Sequence, residues 1–166
     1  MKNFDLNTLR QIKLIAFDID GTLTDGSLYF GSGGEALKVF NVKDGYAIKE
    51  AENNGYKIYF ITGRTVYEPS KQRIIDLKLS LECLKDKVAD KVSCAEQILN
   101  SHGLNFSQMA YMGDDLPDLP LLRRVAFAGA PSDCTQRLID DLHFLSNFPA
   151  GKGAAREFID LILSAK

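Results

Sequence analysis

Leu14-Ile15-Ala16-Phe17-Asp18-Ile19-Asp20-Gly21-Thr22-Leu23-Thr24-Asp25-Gly26 decides how the rest of this chain is read. Residues 14–17 are an apolar run too short for a helix and bounded by polar residues, which predicts a buried strand. Asp18 and Asp20 follow at its carboxyl end. Side chains at i and i+2 of an extended chain point the same way, and Gly21 turns the backbone at little steric cost. Two carboxylates aimed into one small space repel by about 4 kcal/mol at ~4 Å, taking an effective dielectric near 20. A divalent cation is the simplest group that offsets such repulsion.

Outward from that stretch, apolar strand-like runs alternate with helical patterns, which predicts an α/β fold with a central, mainly parallel sheet. A hairpin is expected over Ser27–Phe30, the turn Gly31-Ser32-Gly33-Gly34, and Ala36–Phe40. Asp44 is expected to cap a helix ending near Gly55. The second core strand is Lys57–Ile61, followed by a helix over Glu68–Leu77 and a weak strand near Leu81–Leu84. Asp90 caps a helix closed by Gly103, Met109–Met112 is the next strand, and short segments at Ala126–Ala128 and His143–Leu145 complete the sheet. The tail, Ala154–Ser164, reads as a helix. No repeat or linker divides residues 1–166, so one domain is expected.

Composition narrows the classes of function. The 166 residues are 45% hydrophobic and 25% charged, as in ordinary soluble proteins. A net charge of −2 offers no basic footprint for nucleic acid. Neither an apolar signal region nor a membrane-spanning run is present in the sequence. Cys83, Cys94 and Cys134 are scattered, in no metal or redox spacing. Reduced thiols in a cytoplasmic protein, free of nucleic acid and membrane, are therefore expected.

Three strands end in polar loops of compatible type: Asp18/Asp20, Thr62/Gly63/Arg64 and Asp114/Asp115/Asp118. Ligands of open parallel sheets bind outside the carboxyl ends of the strands, where the topology reverses, so these loops should converge. A lysine at a helix start adds a fixed positive charge. Lys87 and Lys91 compete for that place, each following an aspartate; Lys91 begins the helical pattern Val92, Ala95, Ile98, Leu99 and is preferred. Acids, hydroxyl and backbone donors, and a cation are what phosphoryl transfer requires, because its catalysis is mostly positioning and charge stabilisation.

Asp18-Ile-Asp20-Gly-Thr22, Ile61-Thr62-Gly63, Lys91 and Gly113-Asp114-Asp115-x-x-Asp118 resemble, in order, the four motifs of the haloacid dehalogenase superfamily. Leu23-Thr24-Asp25-Gly26, Phe40-x-x-x-Asp44-Gly45, Arg64, Pro120 and Gly151-Lys152-Gly153-Ala154-Ala155-Arg156-Glu157 narrow the resemblance to the 3-deoxy-D-manno-octulosonate 8-phosphate (KDO 8-phosphate) phosphatases. That resemblance implies a three-layer Rossmann-like fold without a cap domain, with the hairpin as a protruding flap that builds a homotetramer. It also implies Mg²⁺ held by Asp18, Asp114 and the Asp20 backbone. Asp18 is then the nucleophile, Asp20 the acid and base, and Thr62, Gly63 and Lys91 hold the phosphoryl group. Asp118 and, less directly, Asp115 support the site from behind. Arg64 is expected to bind the carboxylate of a sugar acid phosphate. Arg156, with the tail, is expected to reach a neighbouring subunit's site, and removing the residues after Asn147 is expected to spare the fold.

The chain departs from the family pattern at Pro69, at Lys78 and Lys87, where glycine is usual, and at Ala150. Other readings stand beside the leading one: a phosphatase for a nonulosonate 9-phosphate or another small ester, or a non-catalytic scaffold on the same fold. Bland readings also apply to single residues. Asp115 suits a helix start, Arg123 and Arg124 suit a helix end, and His102 and His143 are given no chemistry.

Overall fold

The computed structural model describes residues 2–65 and 67–166. The chain runs through Leu6–Gln11 (α1), Leu14–Phe17 (β1), a hairpin of Tyr29–Gly31 (β2) and Gly34–Leu37 (β3), and Val42–Asn53 (α2). Lys57–Ile61 (β4), Glu68–Asp76 (α3), Leu84–Lys85 (β5) and Lys91–Ser101 (α4) follow. Met109–Met112 (β6), Leu119–Leu122 (α5), Phe127–Ala130 (β7), Phe144–Leu145 (β8) and Ala154–Ser164 (α6) complete it.

Six strands form one parallel sheet in the order β5-β4-β1-β6-β7-β8. Because β1 is covered on both faces, all four of its residues are buried, and successive side chains serve opposite layers. Ile15 and Phe17 pack with residues of α2 and α6, whereas Leu14 and Ala16 pack with residues of α4 and α5. The result is three layers, helix on sheet on helix. Phe17 lies opposite Phe60 of β4 and Met112 of β6 in register. All three strands therefore release their following loops at the same level. The chain leaves β1 toward β4 and β5, then crosses back to β6 on the other side, which puts the reversal of topology at β1 itself.

Between β1 and α2 the chain inserts only the two-stranded hairpin, which stands apart from the main sheet. Its second strand stops at Leu37 instead of Phe40, because Phe40 turns back into the core and Asn41 opens the next helix. The edge beyond β4 differs from the expected strand. Leu81–Cys83 is a 3-10 turn capped by the Ser80 hydroxyl, and only Leu84 and Lys85 pair with β4. Pro69 falls in the first turn of α3, where its missing N–H has no intrahelical partner to lose. Lys78 and Lys87 adopt φ of 56° and 55°, the left-handed conformation that explains why glycine suits both places.

Asp44 does not cap α2. Asn41 does, its side-chain oxygen accepting from Lys43 N at 2.8 Å. The buried Asp44 carboxylate instead reaches across to α6, accepting from Gly153 N at 3.2 Å and Arg156 N at 2.8 Å. Gly153 starts that helix at φ 110° and has no side chain to cap it, so a neighbouring helix supplies the cap. The tail is no appendage: Ala154, Ala155, Phe158, Ile159 and Ile162 are all fully buried against α2 and the sheet. Removing everything after Asn147 would open the core, contrary to the expectation from sequence.

Candidate active site

The loops after β1, β4 and β6 and the start of α4 enclose one cleft lined by Asp18, Asp20, Thr62, Gly63, Arg64, Lys91, Asp114, Asp115, Pro117 and Asp118. All the residues expected from sequence meet there except Arg156. Lys91 prevails over Lys87, which is exposed at its left-handed turn. Asp90 caps α4 by accepting from Val92 N and Ser93 N, which fixes where Lys91 begins the helix.

Lys91 is buried, and its ammonium donates to Asp18 Oδ1 and to Asp118 Oδ1, each at 2.6 Å. Burial alone would favour the neutral amine, but the Asp18 and Asp118 charges outweigh it and raise the pKa of Lys91. The lysine is therefore a fixed cation. Tyr111 on β6 donates its hydroxyl to Asp118 Oδ1 at 2.6 Å, and Asp118 Oδ2 accepts from the Asp114 and Asp115 N–H groups at 3.1 and 3.2 Å. Both oxygens of Asp118 are thereby occupied by protein donors. Its carboxylate ties Lys91 to the β6 loop.

Asp18 and Asp114 differ in this respect. Asp18 Oδ1 meets Lys91 and Asp114 Oδ1 accepts from the Thr22 hydroxyl at 3.1 Å. Carboxylate oxygens of Asp18, Asp114 and Asp118 lie within 4.8 Å of one another. Burial pushes the Asp18 carboxyl up to about 7 despite Lys91, with the charge of Asp118 adding to the shift. Burial and then the charge of Asp118 push Asp114 up to about 7 as well. Two acids held together at such a penalty fit a hard divalent cation, whose charge reverses it. Gly21 makes the approach possible: at φ 89°, a Cβ there would stand 2.2 Å from Asp114 Oδ2.

Thr62 is buried, and its hydroxyl oxygen accepts from Arg64 N at 3.2 Å, leaving its proton free to donate into the cleft. Asp115 lines the cleft but turns away, its carboxylate capping the Leu116–Asp118 turn and accepting from the Thr135 hydroxyl at 2.6 Å. Asp20 is met from the hairpin side by Lys38, which contacts Oδ1, and by Arg64, whose Nε is 3.7 Å from Oδ2. Arg156 pairs with Asp160 at 2.7 Å and lies 5.6 Å over the Tyr46 ring, apart from the cleft in this chain.

Sequence reasoning missed Tyr111, Lys38 and Glu35. Tyr111 reads as one more core aromatic of a buried strand. Only the depth of its hydroxyl, beside Lys91 and Asp118, marks it. Glu35 and Lys38 carried no signal in the sequence, because positions three apart on an extended ribbon face opposite sides; they meet because β3 has ended at Leu37 before Lys38.

No protein-family model matches the chain. The 3-deoxy-D-manno-octulosonate 8-phosphate phosphatase KdsC of Salmonella typhi is 34% identical over 158 residues, which is 93% of this chain and 81% of that protein. The chain belongs to the KDO 8-phosphate phosphatase family. A solved structure of a KDO 8-phosphate phosphatase from Moraxella catarrhalis, in complex with magnesium, phosphate and KDO, is 30% identical with a TM-score of 0.90. The match covers 97% of this chain and 91% of that one. A putative haloacid dehalogenase superfamily hydrolase from Legionella pneumophila, 33% identical, also superposes with a TM-score of 0.90 over 96% of this chain and 86% of its own. The three-layer sheet and hairpin flap expected from sequence are thus those of a known phosphatase family. No helix among the described residues is long and apolar enough to cross a membrane.

Proposed function

We propose that residues 1–166 form one catalytic domain that hydrolyses KDO 8-phosphate to the free sugar acid and phosphate. The observation that carries this reading is the meeting of Asp18, Lys91, Asp114 and Thr62 from three adjacent strand ends and one helix start. Seated by the Thr62 hydroxyl, the Gly63 N–H and the Lys91 ammonium, the phosphoryl group faces the Asp18 carboxylate. An Asp18 oxygen bonds to phosphorus as the bond to the sugar oxygen breaks, and Asp20 gives that oxygen its proton. Asp20, now a carboxylate, takes a proton from water as the water oxygen attacks phosphorus and the Asp18 ester opens. Mg²⁺ held by Asp18, Asp114 and the Asp20 carbonyl would neutralise charge on the phosphoryl oxygens. Asp118 and Tyr111 keep Lys91 aimed throughout.

Arg64 supports a substrate that carries a carboxylate, since its guanidinium stands at the cleft mouth, 37% exposed. Phosphate release with Mg²⁺ is expected from KDO 8-phosphate in preference to a nonulosonate 9-phosphate, with Asp18→Asn as the inactive control. Preference for the nine-carbon ester overturns the substrate assignment. We further propose a homotetramer in the cytoplasm, in which the hairpin and Arg156 make contacts between subunits. The exposed Leu28, Tyr29, Phe30, Leu37 and Val39 support that assembly.

A further inference from the structure

Two charges on the hairpin are buried where its other side chains meet solvent. Leu28, Tyr29, Phe30, Leu37 and Val39 are exposed, yet the Glu35 and Lys38 side chains are 0% and 4% exposed. Withdrawing ions from water costs several kcal/mol each before pairing, and this ribbon adds no residue pair to the main sheet that would offset it. What the burial produces is a closed ring of alternating charge. Lys38 Nζ meets Asp20 Oδ1 and lies 2.9 Å from Glu35 Oε1. Arg64 Nη2 donates to Glu35 Oε2 at 3.0 Å, and Arg64 Nε approaches Asp20 Oδ2 at 3.7 Å. Glu35 therefore pairs with both cations, through a hydrogen bond from Arg64 and a charge contact with Lys38, and both cations face Asp20.

We propose that Lys38, seated by Glu35, is a positioning residue for proton transfer at Asp20, delivered to the site by the hairpin of the same chain. This rests on the reading of Asp20 as acid and base. Of the two cations, Arg64 is the longer contact and the more exposed, and it remains open to an anionic group of the substrate. Lys38 is enclosed and touches Asp20 directly. Once Asp20 has passed its proton to the departing sugar oxygen, it is an anion beside Lys38. That charge holds the carboxylate in place while it accepts the proton of the attacking water. The hairpin thus contributes to chemistry at its own site, whatever it does between subunits.

Leaving-group dependence tests the proposal. p-Nitrophenolate departs without a proton, whereas a sugar alkoxide needs one. In single-turnover reactions, Lys38→Met is expected to slow sugar release from KDO 8-phosphate at least ~10-fold more than p-nitrophenolate release from p-nitrophenyl phosphate, a fraction of what general acid catalysis contributes. Lys38→Arg should recover most of that difference, and Glu35→Gln should show the same selectivity in weaker form. Equal losses on both esters in Lys38→Met and Glu35→Gln mean a structural role and overturn the proposal. If Lys38→Met does not fold, Lys38→Gln and Glu35→Gln give the same reading. Asp20→Asn separates the two layers of inference. Selectivity in that variant without any in the Lys38 variants refutes Lys38 alone, whereas its absence from Asp20→Asn removes the acid–base reading and the proposal with it.

Discussion

Asp18 and Asp114 sit side by side in a place that disfavours their charge. Burial holds both carboxyls near 7 instead of the ordinary 3.8. Groups raised in this way stabilise the fold fully below the unfolded value, and that contribution is lost as pH rises through the folded value. The metal-free protein should therefore lose melting temperature between about pH 4 and pH 7 on account of these two groups. On the proposed reading magnesium is held by the ionised pair, so its stabilising effect should grow over the same direction. Thermal unfolding with and without Mg²⁺ is expected to show a larger gain at about pH 8 than at about pH 6. A gain independent of pH would mean that these carboxylates are not the ligands. At this scale the sequence was informative where chemistry is local. Asp18 and Asp20 are two residues apart on one strand end, and Asp114 and Asp118 share one loop. It was silent where a contact depends on how the hairpin folds back and no motif marks it, as for Lys38 and Glu35, or where a polar tip hides on an apolar ring, as in Tyr111.

Elements are joined by caps that periodicity alone does not reveal. Asp44 looks like the start of its own helix, since an acid in the first turn of α2 suits the dipole. Its carboxylate serves α6 instead, and burial raises its pKa although the Arg156 and Gly153 N–H groups pull the other way. Asp44→Ala is expected to destabilise the protein by about 1–2 kcal/mol, the usual range for a lost helix cap. Denaturant titration checks this, and a loss below about 0.5 kcal/mol would mean that water replaces the carboxylate. The central strands β1, β4 and β6 were legible to the residue because their apolar runs are short and sharply bounded, and helix α6 because its apolar residues recur at helical spacing. The edge was not. Leu81–Leu84 has the composition of a strand, but Ser80 offers the backbone a turn and β4 is already nearing its end.

At the scale of the molecule, the hairpin is the part that the isolated chain does not account for. Five large apolar side chains exposed on one ribbon form a patch of the kind that marks contact with another protein. Light scattering after size exclusion is expected to give the mass of four chains, and Phe30→Asp with Leu37→Asp should lower it. A wild-type monomer at micromolar concentration overturns the tetramer. Among the described residues no domain is inserted after Asp25 or Asp86, and only the hairpin stands between β1 and α2 beside the cleft. The composition of the cleft was foreseen from motifs that converge only when the sheet forms, which is why topology, and not propensity, was the decisive sequence argument.

The placement of α6 has a consequence for biosynthesis. Phe158, Ile159 and Ile162 close the layer over β1, so the first strand made waits for the last helix before its apolar side is covered. Folding of the nascent chain cannot finish on the ribosome until residues 154–164 have left the exit tunnel. Until then an uncovered hydrophobic sheet face is available to chaperones or to misassembly.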